Sequence, residues 1–264
     1  MSGEYDVAEF SLARYIAGWP DWEFVSLPVF PRRFLPQSRM IVNSAADIES
    51  PKDLEGKVVG IQAWQNTCAL WARGILSEYY DVDLSKVEWV TTRDEPLPMD
   101  RDAEFGRIGR DALVAGVADG RLDALILSKA GELYPLPAGT QRLFTDLKSA
   151  EREFFEATGM YPPMHNFVVQ DHLAADHPWL LEELFSLFEQ SYEIFSNRAR
   201  YEAKYPLVWW QLYREEEQAI FGDIWERSLG LEGNEDELAS LVTYAHEQGI
   251  IDREFAVKTL FESV

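Results

Sequence analysis

The chain has 264 residues and carries 24 Lys and Arg against 46 Asp and Glu, a formal net charge of −22. So acidic a surface repels phosphate backbones and anionic lipid, which excludes general nucleic-acid or membrane-surface binding and leaves any anionic ligand to a few local donors. One cysteine, Cys68, excludes an internal disulfide framework and a Cys-rich metal site, and no run approaches the ~20 apolar residues of a membrane span.

The length suits one large domain or two small ones. The first residues, Met1-Ser2-Gly3-Glu4-Tyr5-Asp6, carry no basic or apolar leader, which points to a cytoplasmic protein. Short apolar runs predict strands at 5–10, 24–30 and 39–43, then at 58–62. Asn66 or Thr67 then caps a helix running to about residue 80. A strand at 87–91 follows, then a helix over 109–118 that stops at Gly120, a residue tolerant of positive φ. Strands at 122–127, 143–145 and 166–170 complete the set. Residues 58–145 thus alternate strand and helix, an α/β unit, whereas beyond Pro178 the pattern is almost wholly helical. Leu181, Leu184, Phe185, Phe188, Tyr192 and Phe195 form an apolar stripe there. Asn234 and Glu237 have capping-box spacing at the head of a last helix to His246. The Pro- and Asp-rich stretches 94–98 and 133–139 read as surface connections, with a lid as the alternative. No internal repeat period is visible. Most of the nine Trp, eleven Tyr and fifteen Phe belong to packing, although two or three would line a small-molecule cleft.

Three spots could carry chemistry. Of four histidines, His172 and His177 sit among acids and prolines as solvated residues, and His246 suits a helix C-terminus. His165 follows Pro162-Pro163-Met164 and opens the last predicted strand, where an imidazole can point into a cleft as general acid or base. A lone histidine there is more often structural. The turn Gln62-Ala-Trp64-Gln-Asn66-Thr67 lies between strand and helix, where unused N–H groups and the Thr67 hydroxyl can hold a carboxylate or phosphate. Ordinary capping is as good a reading, and the glycines of a nucleotide loop are absent. In Pro31-Arg32-Arg33 an arginine can grip a carboxylate through paired hydrogen bonds, although a solvated pair is commoner. No Gly-x-Ser-x-Gly elbow or His-Glu-x-x-His motif occurs. Alone, these residues describe an α/β protein that could carry an anion cleft.

Taken together they resemble a known family. The carrying segments are Tyr5-Asp-Val-Ala-Glu-Phe-Ser-Leu12, Val29-Phe-Pro-Arg-Arg-Phe34, Asp53-Leu-Glu-Gly-Lys-Val-Val-Gly-Ile61, Trp71-Ala-Arg-Gly-Ile-Leu76 and Gly120-Arg-Leu-Asp-Ala-Leu-Ile126. More telling are Thr158-Gly-Met-Tyr-Pro-Pro-Met-His165, Gly230-Leu-Glu-Gly-Asn234 and Tyr244-Ala-His-Glu-Gln-Gly249. In this order, over nearly the whole chain, they resemble the 4,5-dihydroxyphthalate decarboxylases, whose fold is that of type II periplasmic solute-binding proteins. The resemblance implies a two-lobed α/β fold with a helical C-terminal part. One lobe would be 1–42 with 167–264 and the other 43–166, with crossings near 41–43 and 165–167. Two departures stand out. The family carries several dozen more N-terminal residues, so the first lobe here reads as shortened. Where relatives tend to have His-Ser after the arginine segment, this chain has Gln37-Ser38.

The implied activity is decarboxylation of a hydroxylated aromatic acid in a cleft between the lobes, with no cofactor or metal. His165 would donate or relay the proton. Arg33, Asn66 and Thr67 would anchor carboxylates, Ser11 or Gln62 would hydrogen-bond ring hydroxyls, and Trp64 would complete the binding turn. The partner is a small aromatic carboxylate; a homo-oligomer is left open. The rival reading is a non-catalytic cytoplasmic solute-binding protein, because fold alone does not prove chemistry. A relative of thiamine-pyrimidine precursor enzymes ranks last for want of a Cys- or His-rich motif.

Overall fold

A computed structural model describes residues 4–99, 105–129, 134–201 and 208–262. The chain builds two sheets. The smaller holds β1 (Val7–Ser11), β9 (His165–Gln170) and β2 (Phe24–Leu27) in the order β1-β9-β2, all antiparallel, so that Ser11 lies opposite His165 and Glu9 opposite Phe167. The larger, in the order β6-β5-β4-β7-β3-β8, is made from β3 (Met40–Asn43), β4 (Val58–Ile61), β5 (Glu88–Thr91), β6 (Gly106–Arg107), β7 (Ala124–Ile126) and β8 (Thr140–Arg142). Here β5, β6 and β7 run parallel to their neighbours around β4, and β3 runs antiparallel to both β7 and β8. The chain changes sheet between β2 and β3 and again between β8 and β9.

The predicted strands are present except at 143–145, where Leu143 and Phe144 follow β8 as buried packing residues rather than as a strand of their own. β2 ends short of the expected residue 30 because Pro28 has no N–H to donate to a ladder. Residue 133 of the connection 133–139 lies outside the described residues.

α1 (Leu12–Gly18) follows β1 directly, and α2 (Thr67–Glu78) follows β4. Every residue of α2 from Thr67 to Leu76 is buried, which makes it the central helix of the molecule. It packs closely on α8 (Glu235–Glu247): a Cβ at Gly74 would stand 2.1 Å from the Tyr244 ring. α3 (Ala112–Ala118) and α4 (Leu147–Thr158) flank the larger sheet's connections. α5 (Asp171–Asp176) and α6 (Trp179–Tyr201) cover the smaller sheet, where Leu181, Leu184, Phe185 and Phe188 pack on Leu27, Val29 and Val169. α7 (Trp210–Phe221) completes the helical end. One continuous core joins α1, α2 and α8, so the two sheets share a single packed interior.

Candidate active site

Six stretches of chain meet around a cavity of about 210 Å³. The β1–α1 junction supplies Ser11 and Arg14, and the segment after β2 supplies Arg32 and Phe34. The head of α2 gives Asn66, Thr67 and Cys68; the connections after β5 and β7 give Arg93 and Ser128; the start of β9 gives Met164 and His165. Among the described residues, three arginines and no acid line it, in a chain of net charge −22. A local excess of positive charge inside an acidic molecule favours anions by simple electrostatics.

Hydroxyls knit the two helix heads together. The Ser11 and Thr67 Oγ atoms are 3.0 Å apart, and the Ala13 N–H donates to Thr67 Oγ1 at 3.1 Å. Asn66 caps α2, its Oδ1 accepting from the Ala69 N–H at 3.1 Å. Asn66 therefore performs the capping that the sequence offered to it or to Thr67, and both residues line the cavity.

His165 stands at the rim, partly exposed, and its Nδ1–H donates to Glu9 Oε1 at 2.5 Å. A carboxylate on Nδ1 fixes the ring's orientation and leaves Nε2 for chemistry. Glu9 follows from strand geometry, because residues 9 and 11 of β1 project from one face and β9 lies alongside. Sequence reading missed it, since its partner is 156 positions away.

The arginine assignment needs correcting. Residues 32–34 run extended against 162–164, with the Met164 N–H donating to the Arg32 carbonyl at 2.8 Å and a bridge between Arg33 and Pro163. Extended backbone alternates its side chains. Arg32 and Phe34 therefore face the cavity and Arg33 faces away, 9% exposed. Arg33 Nη1 donates to Glu237 Oε2 at 2.7 Å and to the Tyr161 carbonyl at 2.6 Å, and Nη2 donates to the Arg227 carbonyl at 2.6 Å and to Asn234 Oδ1. The capping box of Asn234 and Glu237 is also absent. Asn234 sits at the helix head without a side-chain cap, and both residues serve Arg33 instead.

Two further expectations shift. Trp64 is 2% exposed, donates Nε1–H to the Gln248 carbonyl at 3.0 Å and stacks on Phe105, so it belongs to the core. Gln62 stands behind the cavity, its Oε1 accepting from the Ser128 hydroxyl at 2.9 Å. The turn's N–H groups at Trp64 and Gln65 are already taken by Glu95, at 2.5 and 2.9 Å. Among the described residues Phe34 is the one Phe, Tyr or Trp lining the cavity, fewer than an aromatic cleft would use. Arg14, Arg93 and Ser128 were not singled out from the sequence, and of the Arg32-Arg33 pair the residue chosen was Arg33; a single arginine in α1 or in a connection gives no local signal.

The electrostatics fit these placements. Burial and nearby Arg93 lower the Arg14 pKa, while Glu95 acts in the opposite direction. Burial pushes the Cys68 thiol up to about 12, so it is no nucleophile at neutral pH. Phe34, stacked 4.0 Å from the Arg39 guanidinium, divides the arginine cavity from a second one of about 190 Å³ lined by Glu151, Glu217 and Tyr161. Burial raises Glu151 to about 7 and Glu217 above its ordinary range. Among the described residues no cluster of three or more His, Cys, Asp or Glu could hold a metal ion, and no helix is long and apolar enough to cross a membrane.

No family model matches the chain. A 4,5-dihydroxyphthalate decarboxylase of Comamonas testosteroni is 29% identical over 282 aligned positions, covering 98% of this chain and 83% of that protein. The enzyme of the same name from Pseudomonas putida is 31% identical over 144 positions, covering 50% of this chain and 55% of that one. Among solved structures, the periplasmic sulfonate-binding protein SsuA of Methylobacillus flagellatus matches with TM-score 0.58 and 13% identity over 99% of this chain and 73% of its own. The aliphatic sulphonate binding protein SsuA of Escherichia coli gives 0.57 and 11% over 98% and 80%. The desulfurization enzyme DSZB gives 0.55 and 16% over 97% and 82%. The fold is that of the periplasmic binding proteins, with a helical C-terminal part.

Proposed function

For a chain related along 98% of its length to a 4,5-dihydroxyphthalate decarboxylase, we propose a carbon–carbon lyase activity: removal of CO₂ from a hydroxylated aromatic dicarboxylate of the 4,5-dihydroxyphthalate type. The observation that carries this reading is the cavity that Arg14, Arg32 and Arg93 line together beside His165 and its Glu9 partner. Three guanidiniums suit a dianion, and a carboxylate-backed imidazole suits proton transfer.

Expelling CO₂ directly would leave an aryl anion, which is prohibitively costly. A hydroxyl para to the departing carboxylate offers another course. His165 Nε2–H gives its proton to the ring carbon bearing that carboxylate, while the para oxygen pushes an electron pair into the ring and gives up its own proton. The bond from this carbon to the carboxylate carbon then breaks and its electron pair returns to the ring, restoring aromaticity. CO₂ departs, the para oxygen regains a proton, and solvent reprotonates His165. Ser11 and Ser128, both lining the cavity, would hydrogen-bond the ring hydroxyls. The arginines serve best on the carboxylate that stays. A cation held on the departing group would stabilise the reactant's charge and be lost as neutral CO₂ forms, opposing the reaction. The departing carboxylate is therefore placed toward Phe34, Met164 and His165.

In this reading the cavity lies between a lobe of 1–42 with 167–264 and a lobe of 43–166. Ser11, Arg14, Arg32 and Phe34 come from the first and Asn66, Thr67, Cys68, Arg93 and Ser128 from the second. His165 opens β9, which pairs with β1 in the smaller sheet, and so sits with the first. A ligand bound to both favours hinge closure. The test is incubation with 4,5-dihydroxyphthalate, following CO₂ and the ring product together. CO₂ released in step with a dihydroxybenzoate supports the lyase. Saturable binding without any CO₂ overturns it in favour of a solute-binding protein.

A further inference from the structure

The connection after β5 is fastened down by a residue that does not line the cavity. Thr92 donates to the Gln62 carbonyl through its N–H at 3.2 Å and through Oγ1 at 2.8 Å. Glu95 accepts from the Trp64 and Gln65 N–H groups. Gln65, fully buried, donates Nε2–H to the Leu97 carbonyl at 3.0 Å, and its Oε1 accepts from the Leu97 N–H at 3.3 Å. Pro96 and Pro98 restrict the backbone of the same stretch. Arg93, an exposed side chain at the cavity mouth, lies between the points where Thr92 and Glu95 are attached. It also lies close enough to Arg14 for the two charges to oppose one another, with Glu95 counteracting at Arg14.

We propose that Glu95 is a positioning residue for anion binding: seated on the Trp64 and Gln65 N–H groups, it fastens the 92–98 strap so that Arg93 is presented to the cavity beside Arg14. The proposal rests on the cavity's being the aromatic dicarboxylate site and names the part that sets its affinity. Two like charges near one small volume repel, and an exposed arginine on a loosened strap would turn to solvent. The Glu95 carboxylate opposes both tendencies, through charge-assisted hydrogen bonds and through its own charge. The rival role for the same geometry is that Glu95 occupies the seat of a ligand carboxylate, in which case removing it would tighten binding.

Calorimetric titration with 4,5-dihydroxyphthalate and with phthalate separates these roles, using the native chain, Glu95→Gln, Glu95→Asp, Arg93→Ala and the double variant. Losing the Arg93 contact should weaken binding by roughly 10-fold or more. Glu95→Gln should weaken it in the same direction by several-fold, and Glu95→Asp should recover part of the loss. In the double variant Glu95→Gln should add nothing to Arg93→Ala, because it acts through that side chain. Turnover at saturating substrate should fall far less than kcat/KM in Glu95→Gln. Binding by Glu95→Gln equal to or tighter than native overturns the proposal, as does full additivity with Arg93→Ala. A native chain that binds neither acid overturns the dicarboxylate reading of the cavity and takes this proposal with it.

Discussion

Arg32 and Arg33 are adjacent in sequence and opposite in role, which makes their separate replacement the sharpest test of the structure. Arg33 and Glu237 form a buried pair at 2.7 Å, with side chains 2% and 4% exposed. Removing one member of such a pair leaves an uncompensated buried charge, typically at a cost of about 3–5 kcal/mol. Arg227 also contacts Glu237, at 3.0 Å, and would retain part of the compensation. The lower end, about 3 kcal/mol, therefore applies to Arg33→Ala. For a chain of this size that is a fall in Tm of roughly 6–12 °C. Arg32 makes a long hydrogen bond to the Ser128 carbonyl, at 3.5 Å, stands 5.8 Å over the Phe34 ring and faces the cavity. Arg32→Ala should leave Tm within about 1–2 °C of native. It should weaken dicarboxylate binding by roughly 10–100-fold, the worth of a charge-assisted contact. Thermal denaturation and calorimetric titration on both variants give the answer. If Arg33→Ala melts like the native chain yet loses the ligand, the assignment of the two arginines is reversed.

Other consequences follow for the same cavity and its neighbour. His165→Gln should lower turnover of 4,5-dihydroxyphthalate by about 10²–10⁴, with titrations reporting near-native affinity; unchanged turnover removes His165 from the mechanism. Glu151, raised by burial from 4.5 to about 7, binds a proton more tightly folded than unfolded. Its contribution is thus most favourable below pH 4.5 and is lost as pH rises through 7, by up to about 3 kcal/mol. Melting curves of Glu151→Gln should lose less stability between pH 5 and 8 than those of the native chain, and parallel pH profiles would contradict the raised pKa.

The strands were legible because β-branched runs bounded by turn residues mark them locally, as at 58–61 and 166–170. α1 was not, since its seven residues bury Leu12, Ala13, Tyr15 and Ile16 only because α2 and α8 lie against them. α4 and α7 are weakly anchored, α4 burying Phe154 alone and α7 no residue, so their placement depends on their neighbours. Within the site, Asn66, Thr67 and His165 could be singled out because each sits at the end of a regular element, whereas Ser11 came only with the family resemblance. Arg33 could not be told from Arg32, because which one turns inward is decided by the pairing of 32–34 with 162–164. The same long-range fact overrode the capping box: a buried guanidinium demanded charge and carbonyl partners, and Asn234 and Glu237 met that demand.

A cavity of three arginines in a chain of net charge −22 has consequences for how an anion arrives as well as for how it is held. At low salt the Debye length reaches about 30 Å at 0.01 M, so a dianion approaching from solution meets the whole acidic surface before it meets the arginines. At 0.15 M the length shortens to about 8 Å. The distant repulsion is then screened, while contacts inside the cavity, partly shielded from solvent, are screened much less. Association of 4,5-dihydroxyphthalate should therefore quicken or hold steady as salt rises from 0.01 to 0.15 M, and only dissociation should quicken modestly. Sites whose far field matches their near field behave oppositely, with association falling steeply on adding salt. Stopped-flow tryptophan fluorescence across that salt range measures both rates. A steep fall in the association rate would mean that the incoming ligand feels the arginines from afar, and that the acidic surface does not enclose the cavity as its composition implies.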